Sequence, residues 1–164
     1  MELTSKTRPL YDKWVLWTHL PHDTNWAMNS YIKIMEITTL EDIVELYNVI
    51  PTKMFHNCMF FLMKDGIKPR WEDPLNKNGG CFSYKINNVD TIKIWKTISY
   101  CLVGRTITPH KKYYPNINGI TLSPKKSFHI CKIWMSNCLI QDPNIFEIDL
   151  DKFTKKGCIF KRHK

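Results

Sequence analysis

Two of the six tryptophans stand where a hydrophobic core has no use for them. Trp26 closes the polar loop His22-Asp-Thr-Asn-Trp26, and Trp71 sits in Lys68-Pro-Arg-Trp-Glu-Asp-Pro74, bracketed by charges and prolines. An indole in a polar, turn-forming loop either anchors that loop or offers its face as a stacking plate. Glu72 follows Trp71 directly. A loop acid is either simply solvated or, beside a stacking ring, accepts two parallel bonds from a guanine edge, N1–H and N2–H₂. The cluster Ser123-Pro-Lys-Lys126 reads either as a solvated hairpin turn or as point charges for phosphates. Two loop indoles, an adjacent carboxylate and a basic hairpin are together the parts needed to hold a purine nucleotide and its phosphates.

Other chemistries find less to work with. Cys58, Cys81, Cys101, Cys131, Cys138 and Cys158 form no C-x-x-C, and the histidines form no H-x-x-x-H. His19-Leu-Pro-His22 has H-x-x-H spacing, but its internal proline keeps it off a helix. No metal or other cofactor is expected. Nor is there a repeated acidic motif for a catalytic metal, or a Cys/His pair with a supporting acid, so the pattern favours a binding module over a hydrolase. No apolar segment of signal-peptide length opens the sequence, and no run approaches the roughly 18 apolar residues of a spanning helix. The expectation is a chain of the cytosol or nucleus with reduced, buried thiols and no membrane partner.

The elements that must position these residues follow from hydrophobic periodicity. Alternation and β-branched runs predict strands at Trp14–Thr18, Tyr31–Glu36, Met59–Lys64, Cys81–Lys85, Gly119–Leu122, Phe128–Met135 and Cys158–Lys161. Thr39, with Asp42 three residues on, caps a helix whose apolar stripe is Leu40, Ile43, Leu46, Tyr47 and Ile50. A second helix opens at Asn88 or Asp90, carries Ile92, Trp95, Ile98, Ser99 and Leu102 on one face, and ends at Gly104. A third is expected over Asn144–Lys152. The fold class is α+β: one domain over residues 1–164, with residues 1–12 as a flexible arm, an antiparallel sheet of seven or eight strands and three helices on one face. The other face must then be curved, polar or a binding surface. Trp14, Trp17 and Trp95 belong to the core in this scheme.

Charge is distributed unevenly. The 164 residues carry a formal +9, and residues 105–164 hold 12 basic and 4 acidic side chains of it. A positive field in the last third calls for an anionic partner: nucleic acid, an anionic membrane face or a phosphorylated small molecule.

From about Trp14 to Ile159 the chain resembles the messenger-RNA cap-binding translation initiation factor 4E family. The matching stretches include Trp14-Val-Leu-Trp17, Trp26, Thr39-Leu-Glu-Asp42, Leu46-Tyr-Asn48, Asn76-Lys-Asn-Gly-Gly80, Cys101-Leu-Val-Gly104, Asn118-Gly119 and Ile133-Trp134. Most distinctive is Phe61-Leu-Met-Lys-Asp-Gly-Ile-Lys-Pro-Arg-Trp-Glu-Asp-Pro74. The resemblance implies a cupped sheet with three helices on its convex back and the cap in its concave front. Trp26 and Trp71 match the indoles that sandwich 7-methylguanine, where the methylated base's positive charge adds cation–π attraction of roughly 0.5–2 kcal/mol per ring. Glu72 matches the acid on the guanine edge, and Trp134 the aromatic beside the N7-methyl group.

Departures accompany the matches. Lys125 replaces an arginine expected at the phosphates, which loses the bidentate fork. Ile130 and Cys81 stand where two further basic residues are expected. Lys126 and Lys132 are the compensating candidates, and alternation puts Ile130, Lys132 and Trp134 on one face. Lys111-Lys112 and Lys161-Arg-His-Lys164 read as a general field for the RNA that follows. On the back, Pro9 and Glu41 are as the family has them, but Val44 replaces the tryptophan that grips a partner's helix, and Lys96 an apolar neighbour. The implied partners are capped messenger RNA and an initiation scaffold or repressor, the implied state a monomer. The chain resembles a compact, divergent member of viral or parasite type, which promotes initiation or, alternatively, competes for the cap without recruiting the scaffold.

Overall fold

The computed structural model describes residues 6–148, 150, 153 and 155–163. Seven strands form one sheet in the order β2-β1-β3-β5-β6-β4-β7, with every neighbouring pair antiparallel. They are β1 (Pro9–His19), β2 (Tyr31–Thr39), β3 (Met59–Lys64), β4 (Gly80–Asn87), β5 (Ile117–Pro124), β6 (Phe128–Met135) and β7 (Ile159–Arg162). Each predicted strand is present, and most run a few residues longer than the periodicity indicates. Of the arm expected over residues 1–12, residues 1–5 lie outside the described residues and Pro9–Asp12 are already strand, because Pro9 pairs with Thr39.

Alternation sorts the strand residues onto two faces. Leu16, Phe60, Leu62, Phe82, Tyr84, Ile120, Leu122, Cys131 and Ile133 point into the main core. There they meet Ile43 and Leu46 of α1 (Leu40–Val49), Phe55 of α2 (Thr52–Asn57), and Ile94, Trp95, Ile98 and Leu102 of α3 (Thr91–Val103). Trp14 and Trp95 are at most 2% exposed, so they are core rings as expected. The opposite, open face carries a second and smaller cluster of Phe61, Met63, Ile67, Cys81 and Trp134, with Trp17, Tyr31 and Met59 against it.

Helix α1 begins on the expected capping box. Thr39 Oγ1 accepts from the Asp42 N–H, and the Asp42 carboxylate accepts from the N–H groups of Thr38 and Thr39 at 2.9 and 3.0 Å. Those backbone donors hold the Asp42 carboxyl below its ordinary range. Helix α2 is absent from the sequence reading, since six residues burying one phenylalanine leave no period to detect. The helix expected over Asn144–Lys152 is instead a single 3₁₀ turn, Pro143–Ile145. Glu147 donates its N–H to Ile107 rather than to its own segment, and Phe146 packs edge-on against Phe82, 5.0 Å between centroids. Asp149, Asp151 and Lys152 lie outside the described residues. Gly104 ends α3 in a right-handed conformation, and Arg105 takes the left-handed one (φ 56°). Its guanidinium is held by the Asp12 carboxylate at 3.2–3.3 Å and lies over Tyr11 and Tyr114.

Candidate functional site

Two loops and five strands line a cavity of about 460 Å³ on the open face of the sheet. The first loop follows β1. His22 takes a left-handed turn (φ 68°), the Asp23 carboxylate accepts from the Asn25 N–H, and the Asn25 side-chain carbonyl accepts from the Ala27 N–H. This series of Asx turns turns Trp26 back over the sheet. The indole is 51% exposed and lies flat on the buried His19 ring, 3.8 Å between centroids and 3° from parallel. His19 Nε2–H donates to the Asn25 carbonyl at 2.8 Å, which fixes the imidazole behind the indole. His19 of the H-x-x-H pair is thus spent on a stack and His22 on a left-handed turn, and among the described residues no group of three or more His, Cys, Asp or Glu is placed to hold a metal ion.

The second loop joins β3 to β4. Gly66 (φ 86°) supplies a turn that other residues adopt only under strain. The Asp73 carboxylate accepts from the N–H groups of Lys68 and Leu75, both at 2.8 Å. Asn76, fully buried, donates to the carbonyls of Lys68 and Arg70 and accepts from Asn118. With its backbone laced in this way the loop presents Trp71 (38% exposed) and Glu72 to the cavity. Glu72 lies 3.5 Å from the Arg70 guanidinium. Burial, reinforced by the Glu72 charge, raises the Tyr31 hydroxyl's pKa, so Tyr31 remains a neutral phenol on the cavity wall.

The floor is made by β4 and β6. Trp134, 7% exposed, donates its indole N–H to Thr121 Oγ1, which fixes the ring. The register pairs Cys81 with Trp134 and Ser83 with Lys132, so Lys132 faces the cavity as strand alternation requires. His163 closes one side. Its Nδ1–H donates to the Asn76 carbonyl at 2.7 Å, its Nε2 accepts the Cys81 thiol at 3.1 Å, and its ring stands 4.9 Å from Trp134. Burial pushes the Cys81 thiol up to about 12, so it is a neutral donor and not a nucleophile.

Trp26, Trp71, Glu72, Lys132 and Trp134 therefore meet around one cavity. Lys125 and Lys126 are exposed in the β5–β6 turn and are absent from its lining. Six contributors carried no such assignment in the sequence: His19 and Tyr31, which flank Trp26, Arg70 beside Glu72, Lys161 and Arg162 of β7, and His163 after it. A lone histidine ending a strand gives no local signal, and Lys161-Arg162, at the end of a predicted strand, reads only as general positive charge until its pairing with β4 is known.

The helical face assembles the other predicted group. Pro9 opens β1 beside α1, and the neighbouring Arg8 binds Glu41 through both its N–H and its guanidinium, each at 3.0 Å. Val44 is 53% exposed on α1, and the Lys96 ammonium sits 5.5 Å over the Tyr47 ring. Among the described residues no helix is long and apolar enough to cross a membrane.

The family model for eukaryotic initiation factor 4E matches residues 9–155. Eukaryotic translation initiation factor 4E-2 of Schizosaccharomyces pombe is 30% identical over 148 residues, covering 84% of this chain and 57% of the relative. The human eukaryotic translation initiation factor 4E is 29% identical over 137 residues, covering 79% and 61%. The alignments thus span less than two thirds of either relative's length. Among solved structures, Caenorhabditis elegans eIF4E-3 in complex with the 4E-binding protein Mextli and a cap analog superposes with a TM-score of 0.75 at 24% identity, over 85% of this chain and 80% of that one. Ascaris suum eIF4E-3 with an m2,2,7G cap gives 0.73 at 19% identity, over 91% and 95%. At these identities the likeness is one of fold.

Proposed function

The chain belongs to the eukaryotic initiation factor 4E family, and from that premise we propose that its cavity binds the 7-methylguanosine 5′ cap of messenger RNA and brings capped messages to translation. One observation carries the reading: Trp26 and Trp71, two loop indoles left exposed by the fold, border the same cavity as Glu72 and Trp134. Trp26 and Trp71 sandwich the base, whose N7-methyl group makes it cationic and so attractive to both ring faces. Glu72 accepts the N1–H and N2–H₂ of the guanine edge, and its charge further favours the methylated form. Trp134, locked by Thr121, lies against the methyl group, and Lys132 supplies positive charge for the phosphates. The solved relatives described with a cap analog and an m2,2,7G cap support the ligand class. The chain acts as a monomeric cytoplasmic binding module, not an enzyme.

The test is retention on a 7-methyl-GTP resin. Free 7-methyl-GTP should elute the protein while GTP at equal concentration does not, and equal elution by both would sink the reading.

A second reading has its own observation. On the helical face Val44 offers a small side chain and Lys96 a cation over Tyr47, where the resemblance implies larger apolar contacts for a partner's helix. Relatives have been solved with the 4E-binding proteins Mextli and 4E-BP. A chain that holds the cap but grips such a helix weakly competes with initiation instead of promoting it. Pull-down of an initiation-scaffold peptide separates the two, since tight binding removes the competitor reading.

A further inference from the structure

We propose that strand β7 carries the phosphate subsite of this cavity: Lys161 and Arg162, with Lys132 of β6, hold the polyphosphate of a nucleotide whose base lies between Trp26 and Trp71. The assignment rests on the reading above, and it replaces Lys125 of the β5–β6 turn, one of the positions the resemblance gives to the phosphates, with two cations of β7.

Register is the first support. In the β4–β7 pair Cys81 stands directly opposite Lys161 and Gly80 opposite Arg162, while β4–β6 pairing sets Cys81 opposite Trp134 and Ser83 opposite Lys132. Directly opposed residues share a face, so one row across the open face reads Lys161, Cys81, Trp134, and the row beside it holds Ser83 and Lys132. Cys81, the position where β4 lacks its expected cation, is flanked by a lysine on the neighbouring strand. Arg162 reaches the cavity from the sheet edge, at a wall shared with an adjoining cavity that Lys77 also borders.

Charge balance is the second. Glu72, the carboxylate lining the cavity, is paired with Arg70. Among the described residues no ion pair engages Lys132, Lys161 or Arg162. Three cations with no ion pair to a described residue repel one another around one concavity, and an anion bound among them relieves that repulsion. Lys125 and Lys126 lack this convergence. They sit in the turn before Phe128, and at about 3.4 Å per strand residue some 20 Å separates Phe128 from Trp134.

Anchoring is the third. His163, next to Arg162, is tied to Asn76 and Cys81 by its ring and to Gly79 by its N–H at 3.0 Å. The strand end that bears the cations is therefore held in place before any ligand arrives.

The experiment is calorimetric titration of the full chain at fixed ionic strength with 7-methyl-GTP and with 7-methylguanosine, which has the same base and no phosphate. The double variant Lys161→Gln/Arg162→Gln should lose about 10- to 100-fold in affinity for 7-methyl-GTP, as expected for two charge-assisted contacts, and keep its affinity for the nucleoside. Lys125→Gln/Lys126→Gln should change neither by more than about twofold. Loss of 7-methyl-GTP affinity in the turn variant but not in the β7 variant overturns the proposal and leaves cap binding standing, as does equal loss for nucleoside and triphosphate in the β7 variant. Equal binding of GTP and 7-methyl-GTP, both weakened in the β7 variant alone, would uphold the subsite and reject the cap. A wild-type chain that binds neither would remove both.

Discussion

Replacing Trp26 by alanine separates stacking from every other contribution to binding. The indole is 51% exposed, with its remaining surface against His19 and Tyr31. Of an indole's roughly 250 Å², about 125 Å² is thus available to a ligand, and covering it at about 25 cal/mol per Å² gives about 3 kcal/mol. That agrees with the roughly 1–3 kcal/mol found for stacking one base on an aromatic side chain. On stacking alone the variant should therefore bind a guanine nucleotide some 100- to 200-fold more weakly. A methylated, cationic base loses a further cation–π share of about 0.5–2 kcal/mol that neutral guanine never had. The ratio of 7-methyl-GTP to GTP affinity should accordingly shrink by roughly 2- to 30-fold. Calorimetry with both nucleotides reads the two quantities, and a thermal melt of the same samples reports any loss of folding. An unchanged ratio, with both affinities falling together, would mean that Trp26 only anchors its loop and would refute the sandwich.

Other expectations concern the rest of the cavity and its frame. Glu72→Gln removes the charge on the guanine edge and should cost about 10- to 100-fold in 7-methyl-GTP affinity. It should leave the melting temperature almost unchanged, because the partly exposed pair with Arg70 contributes little; a large drop in Tm with intact affinity would assign Glu72 a purely structural role. His163 and His129 both have pKa values lowered by burial, from an ordinary 6.5. The unfolded chain then binds protons more readily than the folded one, so their contribution is complete above about pH 6.5 and is lost as pH falls through the folded values. Tm should decline between pH 7 and pH 5, a slope that His129→Gln/His163→Gln flattens; a flat wild-type profile would contradict this. Gly79→Ala would place a Cβ 1.8 Å from the Met135 carbonyl oxygen, where β4 enters the sheet. Its overpacking should cost about 2 kcal/mol, or roughly 4–8 °C of Tm by calorimetry, and an unaltered Tm would show that the strand entry yields freely.

What the sequence disclosed and what it withheld divide along the range of the interactions. Met59–Lys64 and Phe128–Met135 alternate so regularly that their bounds are read exactly, and the Thr39–Asp42 box marks the start of α1. Trp26 and Trp71 betray themselves as indoles out of place in polar loops, and Glu72 by following one of them. The rest depended on partners far along the chain. Helix α2 buries only Phe55, and the segment after Pro143 bonds to Ile107 instead of closing helical turns. Gly104 ends α3 as expected, but the left-handed residue that follows, Arg105, is held by Asp12 and two tyrosine rings that no local pattern announces. Lys125 and Lys126 form the conspicuous local cluster, yet it is Lys161 and Arg162 that line the cavity, because β7 pairs with β4.

The pairing of Cys81 with Lys161 also governs when the cavity comes into being. Trp26, Trp71 and Glu72 leave the ribosome early, in a segment that holds β1 to β3 but neither Trp134 nor β7. Closing β7 onto β4 bridges half the sequence, an entropically slow step in folding, and such distant pairings follow local ones. A nascent chain therefore displays its stacking plates before it owns the floor and the charged wall that complete the site. With the charged wall assigned to β7, the site is complete only once that strand has paired with β4.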